Sequence, residues 1–407
     1  MDKKDLMNDL LVFESHMEES YLPSYDIKDY ALDVPNKILM EFKSNLKKAN
    51  FYIEDESLIR EIIVGLIKGN IILVGPPGTG KTTITKIICD SFNTKQNIIT
   101  AIDDWTTYDT IGGYFPSVDE EGREIVVGKN GKIVDSVIKC CDTIIDAEKK
   151  PSSTSTDKKQ ASWLVIDELN RCEIDKVFGD FLTALGSSDV ASDNIVTLEF
   201  QSVPQKKKLY IPNRYRIIGL MNNIDKNFVY DLSQAVTRRF QFITINPPKN
   251  IEKEIEFIKS DLGDRIGYKI GKYSTNNDIC NSFIENTFYE DSIFKSHELK
   301  LIDFIKHVRL NEDSTYLGFP LGTAQIKDLY ENILVNMIIS DYKNIDEDQD
   351  KEKMLEKFID ESFSSIIIPQ FENFDLNKKE AFYEYIKENN DWKWMNLSKI
   401  KLYEMIK

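Results

Sequence analysis

Cysteine and histidine are scarce in this chain, and long apolar runs are missing. The 407 residues hold five cysteines, an odd number with no CxxC pair, so neither a disulfide framework nor a zinc ribbon is expected. Reduced thiols in a cytoplasmic protein are the expectation, and the adjacent Cys140 and Cys141, with nothing nearby to activate a thiolate, read as structural. The three histidines, His16, His297 and His307, are too widely spaced in sequence to suggest a zinc site. The longest apolar runs, "IIVGLI" and "SIIIP", fall far short of the roughly 18 residues that span a bilayer, so no membrane segment is expected. The opening "MDKKDLMNDLLVFESHMEES" carries acids throughout and no small-residue cleavage site, unlike a secretory leader.

Basic charge is also in short supply. Fifty-two Lys and Arg against 68 Asp and Glu leave a net charge of −16, which disfavours binding of phosphate backbones by the whole surface. What remains is 41% apolar and 29% charged, the composition of a soluble globular protein. At roughly 150 residues per domain, the length suggests two or three domains.

Residues 1–50 read as a polar, partly helical N-terminal segment. From 51 to 248, helices alternate with short apolar runs: "NIILVG", "QNIITAI", "SWLVID", "RYRIIGLM" and "FQFITIN". Most of these runs lack strict alternation, as strands covered on both faces do. Strands separated by helices predict an α/β fold with a five-stranded parallel sheet between helices. The stretch 118–135, with "EEG" and "KNG" around "REIVV", predicts a β-hairpin, and 149–161 a polar loop without chemistry. After Pro247–Pro248 the pattern turns helical: 249–343 reads as one helical subdomain and 344–407 as a C-terminal helical extension.

The strongest signal is "GPPGTGKTT", Gly75-Pro76-Pro77-Gly78-Thr79-Gly80-Lys81-Thr82-Thr83, directly after a strand and opening a helix. Its glycines let the backbone curl so that N–H groups face phosphate oxygens, and the positive end of the helix adds to the attraction. Lys81 is placed to reach the β- and γ-phosphates, and the Thr82 hydroxyl to ligate Mg²⁺. A second signal lies some 85 residues on, where "SWLVIDELNR" runs a hydrophobic strand into Asp167 and Glu168. Acids at the carboxyl edge of such a sheet lie beside the phosphate loop. Asp167 would hold Mg²⁺ through water, and Glu168 would orient and deprotonate the attacking water.

In their order, "GPPGTGKT", "WLVIDELNR", "GLMNNID" and "AVTRRFQF" resemble the AAA+ ATPases, and most of all their MoxR/McrB/dynein-related branch. "DWTTYDTIGGYFP" and the 118–135 hairpin are similar to features of that branch, and the resemblance covers about 55–335. It implies a P-loop NTPase module with a helical lid and hairpin insertions. It also implies that Asn222 is a sensor of the γ-phosphate or attacking water, and that Arg238 and Arg239 lie in the arginine-finger region that completes a neighbour's site. Which of the two reaches across stays open. Members often place a sensor-2 arginine at the start of the lid helix; here Gly322–Ile326 hold no basic residue, and the neutral Gln325 stands there before Lys327. McrB-type members use GTP and carry Thr after the sensor Asn; Asn223 departs from that, and no NKxD motif follows a suitable strand, which favours ATP.

By the same resemblance, 194–216 is a second hairpin, with Lys206, Lys207 and Lys208 at its tip followed by Tyr210. Together with Lys129 and Lys132 of the first hairpin it could ring a pore with positive charge, suited to nucleic acid or an acidic protein segment. Trp105 is expected to pack, and Trp392 and Trp394, exposed-looking in sequence, are expected to pack in the terminal segment, with a partner interface as the alternative. The expectation is Mg²⁺-dependent ATP hydrolysis by a self-assembling ring, a hexamer by family resemblance, that drives a separately encoded effector such as a nuclease in antiviral defence. A MoxR-like chaperone acting on a protein client, and a GTP-using restriction subunit, are the alternatives.

Overall fold

The computed structural model describes residues 32–149, 158–179, 181–185, 195–201, 208–222, 233–270, 285–309, 317–372 and 374–407. The chain divides into two compact units. One comprises residues up to 51, 55–75 and 81–245, and the other 52–54, 76–80 and 246–407.

In the first unit five strands form the expected parallel sheet: β1 (Asn70–Gly75), β2 (Lys95–Thr100), β5 (Ser162–Asp167), β8 (Ile217–Asn222) and β9 (Phe240–Thr244). Their order is β2-β5-β8-β1-β9. β1, β5 and β8 are nearly continuous in apolar residues because both faces are buried, whereas β2, at an edge, alternates toward solvent. Among the described residues, the helices of this unit with six or more residues are α1 (Ile38–Lys48), α2 (Glu56–Lys68), α3 (Lys81–Ser91), α4 (Lys132–Lys149) and α5 (Gln234–Arg239). Local chemistry marks their starts: Asp55 accepts the Ser57 N–H at the head of α2, and the Ser233 hydroxyl accepts the Val236 N–H at the head of α5. Gly219 in β8 has a packing reason. A Cβ there would lie 2.5 Å from Leu169, the residue that follows the two acids, so the glycine lets the end of β5 settle against β8.

The first hairpin differs in its bounds from expectation, and the second lies within the expected 194–216. The first pairs β3 (Gly112–Val118) with β4 (Glu124–Asn130), so it spans 112–130, not 118–135. Its single turn closes on Asp119, whose carboxylate accepts the Glu121 and Arg123 N–H groups. The "KNG" segment ends β4 and feeds α4 instead of making a second turn, and Gly131 N–H bonds Ile111 O there. The second hairpin pairs β6 (Ile195–Thr197) with β7 (Lys208–Tyr210). Tyr210 is 1% exposed and belongs to the core, as does Leu209 before it, so the reading of Tyr210 beside a hairpin tip is corrected. Lys206 and Lys207 lie outside the described residues. Lys132 opens α4 instead of sitting on a hairpin, its ammonium 4.5 Å from the ring of buried Trp105, while Lys129 is exposed on β4.

The second unit holds six helices of at least eleven residues: α6 (Ile251–Ile270), α7 (Ser292–Arg309), α8 (Thr323–Ile339), α9 (Asp348–Ile366), α10 (Leu376–Glu388) and α11 (Asn396–Ile406). One hydrophobic core runs from Ile251 to Leu402 and passes through the 343/344 junction without a break. Its centre is aromatic. Phe304 lies 4.7 Å from Phe363 and 5.0 Å from Trp392 between ring centroids, and Phe371 stacks on Phe382 at 4.5 Å. Trp392 is therefore a buried core residue, and Trp394 packs beside it at 5.6 Å; an alternating Trp-Lys-Trp in a tight turn does not splay its rings as a helix would. Two buried ion pairs cross-link the helices. Glu254 holds the Arg309 guanidinium, which also donates to Pro248 O at 3.0 Å, and Lys259 meets Glu298 at 2.9 Å. Breaking such a pair from one side strands a buried charge, at a cost of about 3–5 kcal/mol.

Candidate active site

β1 ends at Gly75 and α3 begins at Lys81, and Gly78 and Gly80 between them both have φ +78°. This left-handed backbone strains any residue bearing a Cβ, which accounts for two of the glycines in the motif. Thr79 braces the turn by donating its hydroxyl to Pro76 O at 2.9 Å. Lys81 is buried. Its ammonium donates to Gly75 O at 2.9 Å and to Asn222 Oδ1 at 2.7 Å.

Sheet register makes that second contact possible. Gly75 and Asn222 are paired across β1 and β8, so the residue expected to sense the γ-phosphate stands beside the start of the phosphate loop. The Asn222 amide has two uses: Oδ1 accepts from Lys81, and Nδ2 donates to Glu168 Oε1 at 2.7 Å. One side chain therefore couples the phosphate-reading cation to the carboxylate expected to act as base. Asp167 closes β5, and its Oδ2 lies 3.4 Å from the Thr82 hydroxyl.

Glu168 leaves the strand in the left-handed region, φ 55° and ψ 38°. A non-glycine residue there stores of order 1–2 kcal/mol, and Asp167 helps to hold it by accepting the Glu168 N–H at 3.0 Å. With Oε1 bonded to Asn222, Oε2 is buried without a hydrogen bond among the described residues, 3.5 Å from Arg171 Nε. Two neighbours received no role from the sequence. Asn170 is buried, and its Oδ1 accepts the Asn222 N–H at 3.2 Å, fixing the Asn222 backbone; Arg171 stands beside Glu168. Both follow directly in "DELNR", so reading past the two acids was the available signal.

The structure distinguishes the two arginines. Arg239 is half-buried and committed, donating to Leu182 O at 2.8 Å and Ala235 O at 3.3 Å. Arg238 is exposed, and among the described residues it makes no hydrogen bond or ion pair. Asn223 lies outside the described residues. In the helical unit, Gln325 Nε2 lies 3.4 Å from Pro77 O, and the Ala324 N–H donates to Gly78 O at 3.0 Å. A neutral amide, its Oε1 buried and without a hydrogen bond among the described residues, thus meets the glycine-rich loop at the position discussed above for a sensor-2 arginine.

Residues 70–240 match the family described as AAA domain (dynein-related subfamily). The match covers less than half of the chain, so the likeness to AAA ATPases of the dynein-related subfamily rests on this stretch. The match runs from the first residue of β1 to the first of β9, so it takes in the loop, both acids, Asn222 and both arginines. Among curated proteins, none matches the chain. Similar solved structures include a RuvB mutant of Thermogota maritima, at 12% identity and a TM-score of 0.36 over 76% of this chain and 69% of that one. An ATPase-like protein of Cytophaga hutchinsonii is 13% identical, with a TM-score of 0.33 over 91% of this chain and 87% of that one. At TM-scores below 0.5 neither likeness bears on function. Among the described residues, no helix is long and apolar enough to cross a membrane.

Proposed function

We propose that the protein is a Mg²⁺-dependent ATPase that works as a ring of identical subunits and passes its motion to a separate protein. The observation that supports this most directly is the chain of contacts from Lys81 through Asn222 to Glu168. Residues 75–83 bind the triphosphate, with Lys81 at the β- and γ-oxygens. The Thr82 hydroxyl and the Asp167 carboxylate are hard oxygen donors, and their spacing suits a shared Mg²⁺. That ion supplies neutralisation of phosphate charge. Glu168 takes a proton from water as the water oxygen attacks the γ-phosphorus and the bond to the β-bridging oxygen breaks. The unbonded Oε2 is the atom suited to that water. Asn222 holds the base through the other oxygen.

Arg238 is the better finger candidate, because Arg239 already serves two carbonyls of its own subunit. By analogy with the branch, the motion goes to an effector encoded elsewhere, with an McrB-like nuclease partner preferred over a MoxR-like client. Local basic segments leave nucleic acid as a further partner to test.

Phosphate release from ATP and GTP, measured side by side, tests the nucleotide assignment. Lys81→Ala is expected to bind ATP roughly 10–100-fold more weakly, the loss of one or two charge-assisted bonds, as read by calorimetry. Undiminished affinity in that variant counts against the phosphate loop. Co-purification with the neighbouring gene's product then separates the nuclease and chaperone readings.

A further inference from the structure

His297 is poorly explained as a core residue. It sits on α7 at 3% exposure, with Nδ1 3.0 Å from the Ile293 carbonyl oxygen one turn back. A carbonyl oxygen only accepts, so Nδ1 must carry a proton and donate it. In the neutral ring that leaves Nε2 as a bare lone pair, and among the described residues Nε2 has no hydrogen-bond partner. A buried acceptor without a donor is costly, about 1–3 kcal/mol, so its setting calls for something to fill it.

The setting is acidic. Nε2 points at Glu356 Oε1, 3.8 Å away, and Glu352 lies one turn earlier on the same helix, α9. The three ligand atoms are all within 4.8 Å of one another. A protonated ring donating to Glu356 would close to about 2.7–2.9 Å. The observed gap is too long for that bond. It is short enough for one ion to bridge, since metal–nitrogen and metal–oxygen bonds of about 2.0–2.2 Å reach across it from both sides. The two carboxylates, one turn apart on α9, both reach the ring of His297. The Nδ1–carbonyl bond is the outer-shell contact that orients a metal-binding imidazole and presents Nε2.

We propose that His297, Glu352 and Glu356 bind a divalent transition-metal ion of the zinc class, fastening α9 to α7. One imidazole and two carboxylates suit Zn²⁺, with water in the remaining position. Mg²⁺ and Ca²⁺, which take all-oxygen shells, fit this donor set poorly. The role is structural: Leu355 and Phe358 of α9 and Leu301 and Phe304 of α7 belong to the same core, so an ion joining the two helices locks their packing. This site is independent of the nucleotide pocket.

The test uses the full chain, stripped with chelator and free of nucleotide, titrated with Zn²⁺ by calorimetry in millimolar Mg²⁺. One Zn²⁺ per chain is expected, with a rise in melting temperature on loading. Glu352→Gln with Glu356→Gln should weaken binding on the order of 100-fold or more, and His297→Gln similarly. Co²⁺ substitution should give visible d–d absorption in the parent and none in the double variant. Asp167→Asn, which alters the other acidic site, should bind Zn²⁺ like the parent. The glutamates are exposed or half-exposed, so their variants should fold even if His297→Gln does not. No uptake by the stripped parent overturns the site, as does uptake unchanged in the double glutamate variant.

Discussion

Glu168→Gln is expected to bind ATP as the parent does and to hydrolyse it about 10²–10⁴-fold more slowly. The substitution keeps the side chain's shape. It also keeps a carbonyl oxygen able to accept the Asn222 amide, so the contact at 2.7 Å and the coupling to Lys81 can survive. What is lost is the second carboxylate oxygen, the buried Oε2 that no hydrogen bond claims. If that oxygen takes the water's proton, kcat falls while affinity for ATP does not. Steady-state phosphate release with calorimetric ATP binding reads the two separately. A variant that turns over at the parental rate would mean that Glu168 is a structural residue at the end of β5. Loss of binding and turnover together would mean that the Glu168–Asn222–Lys81 contacts hold the loop in shape, and that the carboxylate is no base.

Legibility in the sequence followed the range of the physics. The sheet was readable because β1, β5 and β8 are short apolar runs bounded by turn chemistry, and helices between parallel strands admit few topologies. The nucleotide loop was readable because its glycines and lysine are adjacent in the chain. Lys81 and Asn222, by contrast, are 141 residues apart and meet only through strand register, which no local pattern carries. The first hairpin was misplaced by several residues for a similar reason. "KNG" is a good turn signal, but pairing of Gly112 with Asn130 turns it into a strand end. Packing of Trp392 was expected, but its partner was not legible: it is Phe304, far back on α7. His297 was set aside on histidine spacing, whereas its partners are glutamates on another helix.

Arg238→Ala is expected to lower hydrolysis by about 10³-fold or more while leaving ATP binding intact, the size of effect typical of a finger supplied across an interface. Arg239→Ala should act differently. Its guanidinium is held by the Leu182 and Ala235 carbonyls, so its removal should cost about 1–3 kcal/mol of stability, seen as a lower melting temperature, with a smaller change in rate. If the finger acts in trans, activity per subunit must rise with protein concentration, because a lone subunit has an incomplete site. Mixing offers a sharper test. Arg238→Ala retains an intact loop and base but offers its neighbour no finger; Lys81→Ala lacks the loop cation but still offers Arg238. At an interface where Lys81→Ala donates into an Arg238→Ala pocket, every proposed group is present once. Each variant alone should be nearly inactive, and the mixture should regain a measurable fraction of parental turnover, greatest near equal proportions. A finger acting within its own subunit predicts no regain at any ratio. That result, or full-rate hydrolysis by a monomer in light scattering, would remove Arg238 from the active site and leave it as a surface charge.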